Sequence, residues 1–138
     1  FDIAANTKQL KFPYRLNLNA DKIDGFSLIL SNDKGEDMVI GFDEKKQQYF
    51  MDRTKSGIIN FSPDYAVRHY APRLTDNTKL NMSLVIDAAS VELFADNGLT
   101  VMTEIFFPTK PFTKLKIETI EGLQIKKLEY ISLKSIWP

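Results

Sequence analysis

Residues 80–107 read LNMSLVIDAASVELFADNGLTVMTEIFF, and this stretch decides the fold class. Apolar residues fall on alternate positions in residues 80–86 and again in residues 91–93, the period of two that is typical of half-buried β-strands. Asn97-Gly98 then favours a type I′ hairpin turn, because both central residues of that turn need a positive φ. The return strand carries Val101, Thr103, Ile105 and Phe107 on alternate positions. The stretch therefore predicts consecutive antiparallel strands joined by tight turns.

The same alternation recurs through the rest of the chain. It is found, with turn residues between the runs, at residues 10–18, 26–30, 38–42, 49–51, 115–117 and 123–133. Strands at this spacing are typical of sandwiches and barrels, and no convincing helical period is present. The sequence predicts an all-β fold, a two-sheet antiparallel β-sandwich of the jelly-roll or concanavalin-like kind, with roughly nine or ten strands.

Three irregularities accompany this pattern. Pro13 cannot donate to a ladder, so the first strand is expected to lie at a sheet edge or to carry a bulge. The apolar phase slips between Ile125 and Leu128, which predicts a β-bulge in the last strand. Residues 62–79 contain two prolines and no clean period, and we expect them to form a long irregular loop.

Composition excludes several classes of function. The chain has 138 residues, the length of one domain, and we expect residues 1–138 to form a single domain. Lys plus Arg total 18 and Asp plus Glu total 18, so the net charge is zero. Nucleic acids and anionic membranes attract basic surfaces, so neither is an expected partner, and no apolar run is long enough to span a bilayer. Cysteine is absent, which excludes disulfides and thiol catalysis.

The residues offer little support for catalysis or metal binding. A Ser-His-Asp triad would have to use His69, the single histidine, and no nucleophile-elbow motif is present. The acidic segment 32–37 lacks the ligand spacing of a twelve-residue calcium loop and is typical of a charged turn. The 18 acidic residues guarantee accidental carboxylate pairs, so their number does not indicate a glycosidase. No catalytic residue, metal or cofactor is expected.

Exposed aromatic rings are the candidates for sugar contact. Sugar-binding sandwiches stack sugar rings on exposed aromatic side chains, and four aromatic residues here are the least tied to a core phase. These are Tyr49, Tyr65, Tyr70 and Trp137. Core packing is the more common role of aromatic residues in a domain of this size.

Three separated segments, in order, carry a resemblance to a known family. They are YFMDRTKSG at residues 49–57, LVIDAASVELFADNG at residues 84–98 and its continuation LTVMTEIFFP at residues 99–108. Together they resemble the C-terminal β-sandwich of glycoside hydrolase family 32, which comprises invertases, levanases and inulinases. The chain departs from the family pattern at Ala89, at the order Asp96-Asn97 and at Glu104, where arginine is common.

The resemblance implies that catalysis lies elsewhere. Enzymes of this family carry their catalytic groups on an N-terminal propeller, in Asp-Pro-Asn, Arg-Asp-Pro and Glu-Cys motifs, and none of these occurs in the sequence. The chain is therefore expected to be a non-catalytic C-terminal module of a fructan- or sucrose-hydrolysing enzyme. Its partner would be the propeller of the same polypeptide, which it would stabilise. The family also implies a secreted, periplasmic or cell-surface bacterial protein.

Structural roles are expected for the residues of the family motifs. Asn97-Gly98 would set the hairpin register, and Ser56-Gly57 would permit a turn. A charged pair among Asp87, Glu92 and Arg53 would tie two strands together. The set comprises Asp52, Arg53, Ser56, Gly57, Asp87, Ser90, Glu92, Phe94, Asn97 and Gly98. Two other functions stay open: a carbohydrate-binding module for fructans, and a module through which protomers associate.

Overall fold

Ten strands form the regular structure of the described residues, which are 11–58, 67–119 and 122–133 of the computed structural model. The strands are β1 Tyr14–Ala20, β2 Phe26–Ser31, β3 Asp37–Asp43, β4 Gln48–Asp52, β5 Arg68–Pro72, β6 Leu80–Asp87, β7 Ser90–Ala95, β8 Thr100–Ile105, β9 Lys114–Thr119 and β10 Ile125–Ser132. The described residues contain no helix that could cross a membrane.

The strands pair into two antiparallel sheets of five. Sheet I has the order β10-β1-β6-β7-β8, and sheet II has the order β5-β4-β3-β2-β9. One hydrophobic core lies between them and takes alternate residues from both sheets, among them Leu16, Leu28 and Leu84. The predicted all-β sandwich is confirmed, because the period of two places one face of each strand on a shared core.

The predicted turn at Asn97-Gly98 and the predicted bulge in the last strand are both confirmed. Asn97 and Gly98 have φ of 58° and 87°, and the Leu99 amide donates to the Asp96 carbonyl at 3.3 Å. In the pairing of β1 with β10, Asn19 opposes Lys127 while Ala20 opposes Ile125. One extra residue therefore sits in β10, which is the predicted bulge.

The first strand does not lie at a sheet edge. β1 is flanked by β10 and β6, and it begins at Tyr14, one residue after Pro13. Proline is tolerated there because the ladder starts after it. The prediction of an edge position is therefore wrong.

The prediction of a long irregular loop at residues 62–79 is also only partly correct. β5 lies within residues 62–79 and forms the edge of sheet II, where it pairs with β4. Its side chains are half-buried or exposed, so it lacks the apolar alternation that identifies other strands. Residues 62–66 lie outside the described residues.

Candidate functional site

An ion-pair cluster joins the two sheets where β5 and β8 meet. Glu104 of β8 points inward and is only 6% exposed. Arg53, which follows β4, places Nη1 3.0 Å from the Glu104 Oε2 and also donates to the Ile105 carbonyl. His69 of β5 places Nδ1 against the Glu104 Oε1. Glu104 is thus the buried acid that pairs with Arg53. The sequence motifs alone do not reveal this role.

The segment after Arg53 fixes the end of β8. Ser56 is fully buried, and its Oγ donates to the Arg53 carbonyl at 2.8 Å. Gly57 has a φ of 131°, and a Cβ at this position would lie 2.1 Å from the Phe107 carbonyl oxygen. The Ile58 amide donates to that same carbonyl at 2.9 Å. Only glycine allows the two backbone segments to approach so closely.

Asp52 contacts both the beginning of this turn and the edge strand β5. Its carboxylate accepts hydrogen bonds from the Thr54 amide and hydroxyl, and its Oδ2 lies 3.2 Å from the Arg68 Nε. Partial burial opposes ionisation, but the bonds from Thr54 and the positive charge of Arg68 lower the pKa of Asp52 below its ordinary value. Asp52 is therefore held as a carboxylate between β4 and β5.

A second buried polar cluster involves Tyr49. The Tyr49 hydroxyl donates to the Asp96 Oδ2 at 2.8 Å, and the Arg73 Nε lies 3.7 Å from the same oxygen. Burial, and then the hydrogen bond to Asp96, raise the pKa of the Tyr49 hydroxyl. Arg73 also donates to the carbonyls of Thr75 and Lys79, which shapes the segment before β6.

The four candidate sugar-contacting aromatics are placed differently. Tyr49 is fully buried, so the expectation that its ring is exposed is wrong. It lies on the inward side of β4, where Phe42 packs against it. Tyr70 is half-buried on the outer side of sheet II, near Phe50. Tyr65 and Trp137 lie outside the described residues.

The remaining motif residues serve the β6–β7–β8 meander. Asp87 Oδ1 accepts from the Ala88 amide in the turn that leads to Ser90. Glu92 and Phe94 face outward on β7, opposite Thr103 and Val101. Asn97 accepts a hydrogen bond from the Asn81 side chain at 3.0 Å. The charged pair was expected among Asp87, Glu92 and Arg53, whereas the acid found against Arg53 is Glu104.

The described residues contain no group of three or more His, Cys, Asp or Glu side chains that could hold a metal ion. What they define is a class of protein: a two-sheet antiparallel β-sandwich module whose motif residues cap turns, pair charges and lock the sheets together. The sequence matches the family described as Glycosyl hydrolases family 32 C terminal over residues 2–135. The chain belongs to this family of C-terminal β-sandwich domains.

Relatives of known name agree with this assignment. The extracellular exo-inulinase of Aspergillus niger is 31% identical over 104 residues, which cover 74% of this chain and 19% of the relative. The levanase of Bacillus subtilis is 30% identical over 100 residues, which cover 71% of this chain and 15% of the relative. The chain thus corresponds to less than a fifth of the length of either relative.

A solved structure shows the same fold. The exo-inulinase from Aspergillus awamori superposes with a TM-score of 0.79 and 26% identity, over 91% of this chain and 26% of that chain. The similarity therefore concerns one part of a longer hydrolase.

Proposed function

We propose that this chain is the C-terminal accessory module of a longer fructan- or sucrose-hydrolysing enzyme, and that it packs against the catalytic propeller and stabilises it. Membership of the family supports the parent activity, and the short coverage of the relatives supports the accessory role. The sequence motifs that carry catalysis in the family are absent from this chain.

The observation that carries the packing role is a row of exposed apolar side chains along β8. On the outward face of that strand, Val101 and Ile105 are each 54% exposed. Leu99 precedes the strand, and Phe107 and Ile58 continue the row at its far end; all three are also exposed. We name these five residues the apolar strip. Thr103 is exposed between Val101 and Ile105 on the same face and interrupts the apolar strip at its middle. Exposed apolar patches rimmed by polar residues are found at contact sites.

The dimensions of the apolar strip favour a tethered domain over a second copy. From Leu99 to Phe107 it is about 25 Å long at about 3.3 Å per residue, and it is one or two strands wide, which gives an area of roughly 250 Å². A stable dimer buries about 800 Å² on each partner. A domain of the same polypeptide is held at a high effective concentration, so a smaller apolar contact with a polar surround suffices.

An assay of the 138-residue chain tests the accessory role. We expect no hydrolysis of levan, inulin or sucrose, since the proposed parent carries its catalytic groups in another domain. Robust release of fructose by the purified chain would overturn the proposal.

Substitutions in the longer polypeptide test the packing role. Val101→Asp places a charge in the apolar strip, and we expect the catalytic domain to lose activity on heating at a lower temperature. Ile131→Asp is the matched control, because Ile131 is exposed on the outer side of the same sheet at its opposite edge. In the 138-residue chain, both variants should have nearly the same free energy of unfolding as the unsubstituted chain.

The comparison of the two variants distinguishes packing on the catalytic domain from other roles of the apolar strip. Equal thermal inactivation of the two variants would contradict packing through the apolar strip. Association of the original longer polypeptide into dimers that Val101→Asp dissociates would instead identify a second protomer as the occupant.

We further propose that the parent enzyme is secreted, periplasmic or attached to the bacterial cell surface. A relative named as an extracellular exo-inulinase, together with a bacterial levanase, supports this location. Fractionation of the source cells with an antibody to this chain tests it, and a purely cytoplasmic signal would contradict it.

A further inference from the structure

The outer face of sheet II carries one continuous row of cross-strand partners. Tyr70 opposes Phe50, Phe50 opposes Gly41, Gly41 opposes Ser27 and Ser27 opposes Glu118. Four of the five residues face away from the core because they alternate with core residues on their strands, and Tyr70 shares this face because it opposes Phe50. The row joins an aromatic end to a polar end across the whole sheet.

The Phe50 ring lies over Gly41 of β3, the central strand of sheet II. A Cβ on Gly41 would come within 2.9 Å of the Phe50 Cζ, so the ring occupies the space above the glycine. The Arg68 guanidinium lies over the same ring, 4.1 Å from its centroid. Phe50 is therefore only 4% exposed at an outward-facing position. The stack fixes both the ring and the guanidinium.

Arg68 is fixed further by its polar neighbours. Its Nε lies 3.2 Å from the Asp52 Oδ2, and its Nη1 donates to the Tyr70 hydroxyl at 3.4 Å. A guanidinium held from three sides is pre-organised, so it loses little freedom when it donates to a ligand.

A depression of about 300 Å³ opens beside this stack. Its lining includes Phe50 and Arg68, the Ser27 and Gly25 positions of the sheet, and the turn residues Asp43, Glu44 and Lys45. This volume is at the lower end of small-molecule sites, so the depression fits a single small ring rather than a length of polymer. We name it the sheet II depression.

The charges around the sheet II depression cancel. Asp43 and Glu44 are acidic, and Lys45 and Arg68 are basic. Such a lining does not select an anion or a cation. It presents carboxylate acceptors and cationic donors together, which is the complement of a neutral molecule with many hydroxyl groups.

We propose that the sheet II depression binds a neutral sugar unit, a fructosyl residue of a fructan chain. The choice of fructose rests on the proposed function, whereas the choice of a neutral polyhydroxylated ring rests on the lining alone. Asp43 and Glu44 accept hydrogen bonds from sugar hydroxyls, and Arg68, which covers the Phe50 ring, donates to them. Tyr70 supports Arg68.

The position of the depression makes it compatible with packing on the catalytic domain. The apolar strip lies along the outer side of sheet I, whereas the depression lies on the outer side of sheet II. The two outer faces of a sandwich point in opposite directions. A module attached through sheet I would thus present the depression to the polymer.

An NMR titration of the 138-residue chain tests the site. The probes are short inulin-type and levan-type fructo-oligosaccharides, with maltotriose as the comparison sugar. We expect saturable shifts of the backbone amides of Gly25, Ser27, Gly41 and Lys45, at dissociation constants of about 1 mM, the affinity of a small contact. Absence of shifts at these amides, or shifts confined to another face, would overturn the site.

Conservative variants test the named acids. Glu44→Gln should weaken binding about tenfold, because a hydrogen bond to a charged group is replaced by one to a neutral group. Asp43→Asn should act in the same direction, and it keeps the oxygen that accepts from the Lys46 amide. Asp87→Asn, in the β6–β7 turn of sheet I, is the matched control and should bind as the original does.

The outcomes separate this proposal from the proposed function. Equal affinity of Glu44→Gln and the original chain would contradict the roles of the acids, and an equal response to maltotriose would contradict the fructosyl assignment. Both readouts come from this chain alone, whereas the packing role is read from the heat stability of the longer polypeptide. Either proposal can therefore fail without the other.

Discussion

Gly57 and Gly98 each allow a backbone conformation that other residues rarely adopt. Both have a positive φ, but their surroundings differ: a Cβ on Gly57 would collide with the Phe107 carbonyl, whereas a Cβ on Gly98 would meet open space. Gly57 is required by close approach as well as by its dihedral angle, and Gly98 by its dihedral angle alone. Comparison of the two positions therefore distinguishes two reasons for requiring glycine, close backbone approach and a positive φ.

Gly57→Ala should therefore lower the free energy of unfolding by about 3 kcal/mol or more, since the backbone of Phe107 must move. Gly98→Ala should cost about 1–2 kcal/mol, the penalty of a left-handed conformation. Urea denaturation measures both values. Equal losses for the two variants would show that the contact with Phe107 contributes nothing.

Two buried tyrosines offer a matched test of hydrogen bonding. Tyr49 donates to the buried Asp96, whereas the Tyr14 hydroxyl is buried and has no hydrogen-bond partner within the described part of the chain. Burial, with the nearby Tyr130 as a smaller cause, raises the pKa of the Tyr14 hydroxyl. The same chemical change should thus have different consequences at the two sites.

Tyr49→Phe should lower the free energy of unfolding by about 1–3 kcal/mol, because it leaves Asp96 without its hydroxyl donor. Tyr14→Phe should be neutral or stabilising, because it removes a polar atom that makes no hydrogen bond. Thermal and urea unfolding of the two variants measure the difference. A larger loss at Tyr14 than at Tyr49 would be inconsistent with this account.

At the scale of elements, the meeting of β5 and β8 determines how the sandwich closes on one side. These strands are the edges of different sheets, and Glu104 joins them through Arg53 and His69. A buried carboxylate is costly unless it is paired, so each member of the cluster depends on the others. The cluster therefore stabilises the approach of the two edges.

Glu104→Gln should lower the free energy of unfolding by about 2–4 kcal/mol, because the ion pair between Arg53 and Glu104 is lost in a largely buried site. Glu118→Gln provides the control: its pair with Lys116 is exposed on both sides and should contribute less than about 1 kcal/mol. Denaturant unfolding at neutral pH gives both numbers. A difference between the variants of less than the error of the method would refute the role of the cluster.

At the scale of the whole molecule, one core joins the two sheets. Leu28 of sheet II and Leu84 of sheet I belong to the same buried cluster and are at most 1% exposed. A single core shared by two sheets means that neither sheet retains a buried face when the other is lost. The domain should therefore unfold cooperatively.

Leu28→Ala and Leu84→Ala should each cost about 2–5 kcal/mol through lost burial and the cavity left behind. Both variants should retain one transition that coincides by far-UV circular dichroism and tyrosine fluorescence. Ile131→Ala, at an exposed position, should change stability by less than about 1 kcal/mol. Two separate transitions in either core variant would show that the sheets unfold independently.

Sequence patterns predicted those features whose cause is local. The Asn97-Gly98 turn and the bulge in β10 follow from backbone preferences and from a slip in the apolar phase. β5 was missed because an edge strand with half-exposed sides has no apolar period. The aromatic stack of Phe50 under Arg68 was missed as well, since it depends on Gly41 of a neighbouring strand.

By itself, the sequence determined the all-β class, the positions of most strands and the family motifs, because period-two alternation and turn residues act over a few neighbouring positions. The tertiary structure decided which face of each strand is buried. On β8 the apolar side chains of Val101 and Ile105 face outward, while Glu104 faces the interior. The physical reason is that Arg53 and His69, which belong to the other sheet, contact the acid at that point and offset the cost of burying it.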